Sequence, residues 1–110
     1  MKIRDVAFCV TDWNKVTPVE YRGEAGKSYW RTFEEGNIRV RVVEYTPGFK
    51  SDHWCERGHV LLVLEGELVI QLKDGREFVL PSGTSFQAAG DVSNPHLAYT
   101  KKGARVFIVD

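Results

Sequence analysis

His53, Cys55 and His59 fall within seven consecutive positions of a 110-residue chain that holds three histidines and two cysteines in all. Imidazole nitrogen and thiolate sulfur are donors that select zinc, iron, nickel or copper over magnesium and calcium. His53 and Cys55 are two apart, so on an extended strand both side chains leave the same face. Gly58 supplies a bend, after which His59 opens an apolar run that reads as a second strand. Two donors on one face and a third across a bend make the pattern of a metal site built from sheet. Singly, a histidine in a β-structure is ordinarily a satisfied polar residue, and a cysteine a small hydrophobe. The joint spacing is what points to a cation. Cys9 has no such neighbours and reads as a buried strand residue without a chemical role.

Length and charge narrow the function classes. The chain is the size of one domain and long enough to bury a core without disulfides. Lysine plus arginine and aspartate plus glutamate number 15 each, a formal net charge of zero. With no basic run, nucleic acid is not an expected partner. Arg4 and Asp5 break the first apolar stretch, so residues 1–13 lack a signal-peptide pattern. The longest apolar run, 60–64, is far short of a membrane span, and no membrane partner is expected. The expectation is a cytoplasmic protein with both cysteines as thiols.

The elements that must position the donors are strands. Residues 1–10 are compatible with an edge strand, and Thr11-Asp12 before Trp13 with the N-cap of one short helical turn, which Pro18 stops. Residues 27–33 form a strand whose Tyr29, Trp30 and Phe33 would supply core or dimer contact. The run 34–37 is a turn by composition. In 38–45, Ile38, Val40 and Val42 alternate with Arg39 and Arg41, a strand signal. The arginine face is expected to be solvated. Turned inward, either guanidinium would bind a substrate carboxylate bidentately.

Residues 59–64 are apolar on both faces, as in a central strand covered on two sides. Glu65-Gly66 interrupts the run, 67–72 resumes it, and Glu65 and Glu67 are expected in solvent. Asp74-Gly75 marks a hairpin with 77–80 as the return strand. Strand 84–88, a loop at 89–95, and strands 96–100 and 104–109 complete the chain. Eight or nine short strands punctuated by glycine and proline predict an all-β antiparallel sandwich or barrel.

The stretch from Gly48 resembles the first motif of the cupin superfamily, whose members are small jelly-roll β-barrels. That motif runs Gly, about five residues, His-x-His, about three or four residues, Glu, about six residues, Gly. Here Gly48 is followed by His53, Cys55, His59 and Gly66 at nearly those intervals. Cys55 stands at the second histidine and His59 at the glutamate. Asp52-His53-Trp54-Cys55 also resembles the small cupins labelled for a DHCW motif. The second motif has two placings. Gly75 with Pro81-Ser82-Gly83 puts Phe86 at the histidine position. Gly83 with Ala88-Ala89-Gly90 instead brings in His96 after a longer loop, with Thr84 where an aspartate often follows the glycine. The second placing is preferred because it supplies a histidine on the strand where the family has one.

The resemblance implies a single cupin-type jelly-roll domain, with 1–37 as N-terminal strands and dimer contact and 38–109 as the barrel core. It further implies a homodimer and a metal set of His53, Cys55, His59 and His96. Three imidazoles and a thiolate leave a divalent cation with the same net charge as the family's three imidazoles and a carboxylate. The thiolate moves preference toward zinc, iron or copper. Zinc is the first choice because four such donors close a tetrahedron; Fe²⁺ or Ni²⁺ follow if positions stay open. Two functions are compatible with this. One is a metal-dependent enzyme acting on a small molecule in the barrel. The other is a non-catalytic binding or sensing module with a structural metal. The fold does not transfer a substrate.

Overall fold

The computed structural model of the chain describes residues 2–90 and 95–110. Among the described residues, eight strands run β1 (Val19–Arg22), β2 (Lys27–Glu35), β3 (Ile38–Tyr45), β4 (His59–Leu72), β5 (Glu77–Pro81), β6 (Ser85–Ala88), β7 (His96–Tyr99) and β8 (Ala104–Val109). All the named pairings are antiparallel. The 3-10 turn Trp13–Lys15 is capped as its sequence predicts, with the Asp12 carboxylate accepting from the Asn14 amide at 3.1 Å. No helix among the described residues is long and apolar enough to cross a membrane.

One sheet is ordered β1-β2-β3-β8-β4, and the first half of β4 also pairs with β6. The second half of β4 lies between β5 and β7 in the other sheet. The Glu65-Gly66 pair therefore does not end the strand. It marks a bulge opposite β8, between Val63 and Glu65, and Gly66 follows with φ +77°. A Cβ there would lie 2.3 Å from the Gly103 carbonyl oxygen, so the site admits glycine alone without a shift. The chain changes sheet through this bulge instead of turning back.

That change bends β4 sharply. Straight, its 14 residues would span roughly 45 Å, more than the 40 Å longest extent of the molecule. Instead Leu72 pairs with His96 at one end of β4, while His59 at the other end reaches the same histidine's side chain.

The core lies between the two sheets and draws on both. Val43, Leu61, Val63, Val106 and Ile108 from one pack with Leu68, Ile70, Leu80 and Ala98 from the other. In 59–64 the structure corrects the expectation of two covered faces. His59, Leu61 and Val63 point inward, while Val60 and Leu64 are 40% and 37% exposed. The run is central in its hydrogen bonding but open on its outer face. Residues 2–10 form no strand, and Cys9 is exposed, not buried in one. They are tied instead to the β2–β3 turn, where Asn37 accepts from the Arg4 amide and donates to the Lys2 carbonyl, each at 2.7 Å. The proposed loop 89–95 falls largely outside the described residues.

Candidate metal centre

The segment between β3 and β4 runs beside β7 by isolated backbone bridges and not as a strand. The Ser51 amide donates to the Ala98 carbonyl at 2.9 Å. The Cys55 amide donates to the His96 carbonyl at 2.7 Å, and the His96 amide returns to the Cys55 carbonyl at 3.0 Å. This reciprocal pair fixes the thiol against the start of β7. His59 comes in from the first residue of β4, on the inward face with Leu61 and Val63.

Three of the four anticipated donors therefore converge. The ligand atoms of Cys55, His59 and His96 lie within 4.8 Å of one another. The two Nε2 atoms are 3.0 Å apart, with the rings at 89°. Two nitrogens bound to one cation at about 2.0–2.1 Å would stand about 3.0–3.4 Å apart, so the pair fits a shared divalent ion. Phe86 packs edge-on against both imidazoles, at 5.4 Å from His59 and 5.3 Å from His96. The residue that one placing of the second motif put at the histidine position thus packs against the donors, and His96 is the residue that joins them.

His53 is not brought into the group. Its side chain is 75% exposed, and its Nδ1 lies 2.7 Å from the Asp52 carboxylate. The two-residue spacing fails to align it with Cys55 because 51–58 is not extended strand, so the same-face rule does not apply there. His53 stands instead at the rim of the cavity that the three donors face.

The electrostatics favour the metal-binding form of the donors. A hydrogen bond from His96 lowers the Cys55 thiol below its ordinary pKa against the opposing effect of burial. Burial, followed by the neighbouring His96 charge, pushes His59 down to about 4. Both shifts run toward the deprotonated donors that a metal takes, a thiol that ionises more readily than usual and a neutral His59 imidazole. Protons compete with metals for such donors. Bound metal is expected to persist as pH falls through about 6.5, the ordinary imidazole value, and to leave at lower pH. Metal content after dialysis across a pH series checks this; release complete above that value would contradict it.

The residues around the trio were only half anticipated. Arg39 and Arg41 turn inward, correcting the expectation of a solvated face, and Arg41 is 5% exposed. What permits this is Asp110, 71 and 69 residues away in sequence. Its carboxylate accepts from Arg39 Nε at 3.0 Å and Nη2 at 2.7 Å, and from Arg41 Nη2 at 3.3 Å. Arg57 Nε approaches the same group at 3.5 Å, and His59 Nδ1 at 4.0 Å. Burial pushes the Asp110 carboxyl upward, but the Arg39 hydrogen bond and the charges of Arg41, Arg39 and Arg57 outweigh it and hold the pKa low. His59 Nδ1 is buried without a hydrogen-bond partner among the described residues. Asp110 is the nearest carboxylate to that outer nitrogen but, at 4.0 Å, lies beyond hydrogen-bond reach.

The trio and the arginines face one cavity of about 480 Å³. Its walls are Trp30, Tyr45, Phe49, Leu61, Ile70 and Phe86 among others. The arrangement is a three-donor centre at the wall of an apolar chamber that also holds buried cations.

No family model matches the chain, and no curated protein matches it in sequence. Solved structures do match it in three dimensions. The polyketide cyclase RemF from Streptomyces resistomycificus has a TM-score of 0.77 at 20% identity, covering 94% of this chain and 78% of its own. A sugar phosphate isomerase of the cupin superfamily from Silicibacter pomeroyi has a TM-score of 0.69 at 21% identity, over 92% and 74%. Fe(II)-HppE with the alternative substrate (S)-1-HPP has a TM-score of 0.74 at 16% identity, over 99% and 62%. Eight antiparallel strands in two sheets sharing β4, with this likeness, give the chain the jelly-roll fold of the small cupins.

Proposed function

We propose that the chain is a metal-dependent enzyme acting on a small molecule held in the barrel cavity, with Cys55, His59 and His96 as the metal ligands. The observation that supports this over a structural metal is the number of donors brought together. Zinc sites with four protein ligands are usually structural, whereas three ligands and an open position are the catalytic pattern. Among the described residues, three donors face a cavity and the fourth anticipated one stands at its rim. Bound there, a divalent cation would supply Lewis-acid polarisation or an activated water.

The remaining work falls to the chain's own side chains. Cys55 contributes the negative charge of the donor set, and the thiolate favours Zn²⁺ or Fe²⁺ over harder ions. Asp110 places a negative charge 4.0 Å from the outer nitrogen of His59. Phe86 holds both imidazole rings edge-on and, with Leu61 and Ile70, keeps the inner wall apolar. Low polarity on that wall strengthens every charge interaction at the centre.

Cobalt substitution tests this reading. The absorption spectrum of Co²⁺-loaded protein is expected to show a thiolate-to-metal band and to shift when small anions such as azide are added. A four-coordinate spectrum that no exogenous ligand moves would replace the enzyme with a binding or sensing module built around a structural ion.

A further inference from the structure

We infer that the cavity takes a small organic carboxylate, received by Arg41 and Arg57 in the chamber that the metal ligands also line. The inference names the substrate class for the chamber proposed above and rests on that reading of it, but not on the presence of the cation.

Three observations converge on an anion. The first is charge. The lining includes four arginines, Arg22, Arg39, Arg41 and Arg57, against a single carboxylate, Asp52, in a chain whose formal net charge is zero. Asp52 is engaged with His53 at the rim. Tyr45 adds no negative charge, since burial pushes its phenol up to about 12. The second is incomplete neutralisation. Asp110 is the shared counter-ion of Arg39, Arg41 and Arg57, and with Glu34 at 3.8 Å from Arg39 it leaves two negative charges among three positive. It grips Arg39 with both oxygens but meets Arg41 through Nη2 alone.

The third is an orphaned donor. Arg41 is 5% exposed, lines the cavity, and its Nε has no hydrogen-bond partner among the described residues. A buried guanidinium N–H without an acceptor costs stability that an incoming oxyanion would recover. The Trp30 ring lies beneath the Arg41 guanidinium at 4.5 Å, which holds its plane while leaving the edge to hydrogen-bond. Arg57, with a side chain 60% exposed, lines the same cavity.

The rest of the chamber decides the kind of anion. Tyr45, Phe49, Leu61, Ile70, Phe86 and Ile108 offer hydrocarbon and ring surface, suited to an apolar body attached to one charged group and not to a bare inorganic ion.

The test is calorimetric titration of benzoate, its neutral isostere benzamide, and inorganic phosphate into the full chain, metal-free and metal-loaded. Benzoate is expected to bind both forms, at least about tenfold more tightly than benzamide. Arg41→Gln should weaken benzoate at least about tenfold, and Arg57→Gln by a smaller factor. Arg57 is largely exposed, so that variant leaves folding intact even if the Arg41 variant is destabilised, and the benzoate-to-benzamide ratio needs no variant at all. Benzamide binding as tightly as benzoate, phosphate outcompeting benzoate, or no binding by either form would each overturn the inference. Benzoate binding to metal-free protein that takes up no metal would uphold it while removing the proposed metal enzyme.

Discussion

Cys55→Ser and His96→Ala are each expected to lower metal affinity by at least about a hundredfold, while His53→Ala leaves it within a factor of about two. Loss of an outer-sphere partner alone weakens metal sites by about 10–100-fold, and these two changes remove a donor atom outright. Serine in place of Cys55 also withdraws the negative charge, because a coordinating thiol is deprotonated and a serine hydroxyl is far harder to ionise. His53 lies outside the converging atoms and is paired with Asp52. Metal per chain by elemental analysis, followed by competition with a chromophoric chelator, gives the comparison, with far-ultraviolet dichroism as the folding control. Full occupancy in folded Cys55→Ser protein would dissolve the trio as a centre. A matching loss in His53→Ala would return that histidine to the ligand set.

Asp110→Ala is expected to destabilise the fold by about 3 kcal/mol, the scale on which stripping one partner from a buried ion pair operates. Its side chain is 1% exposed, and the change strands Arg41, with a side chain 6% exposed, beside Arg39 at 17%. Glu34 remains 3.8 Å from Arg39, but no acidic partner other than Asp110 lies within ion-pair distance of Arg41 among the described residues. Urea denaturation of metal-free protein measures the difference. Acid should reproduce part of it. The folded carboxyl titrates below its unfolded value, so its stabilisation is present above the unfolded pKa and fades as pH falls through the folded one. The variant should therefore show a shallower acid limb than the parent. Equal stability at neutral pH would mean that the arginines are satisfied by solvent and are not held in the interior by Asp110.

How far the sequence reached depended on the range of the interaction read from it. Strands set by local alternation and turn chemistry, β3 and β8, have the boundaries that their residues predict. The Asp74-Gly75 hairpin forms where expected, with the Gly75 amide bonded to the Leu72 carbonyl at 3.0 Å. Glu65-Gly66 reads locally as a break and is in fact a bulge, because strands β5 and β7, which pair onto the continuation, come later in the chain. Alternation likewise separated Arg39 and Arg41 from Val40 and Val42 but could not say which face is inward. That choice depends on Asp110, at the far end of the chain. For the candidate site, Cys55 and His59 were legible from spacing. His96 was legible through the family motif alone, since 36 residues separate it from His59. His53 shows the limit of a periodicity rule in a segment that forms no ladder.

The bend of β4 places the two ends of one continuous strand at the same histidine, His59 by its ring and Leu72 by its pairing with His96. An ion clamped there would act as a clasp on a nearly closed loop of backbone. Fraying at either end would have to release it. Loading the centre should then slow amide hydrogen exchange at Leu61 and at Ile70 alike, so that occupancy of a pocket a few ångströms wide is felt across both sheets as a single cooperative unit.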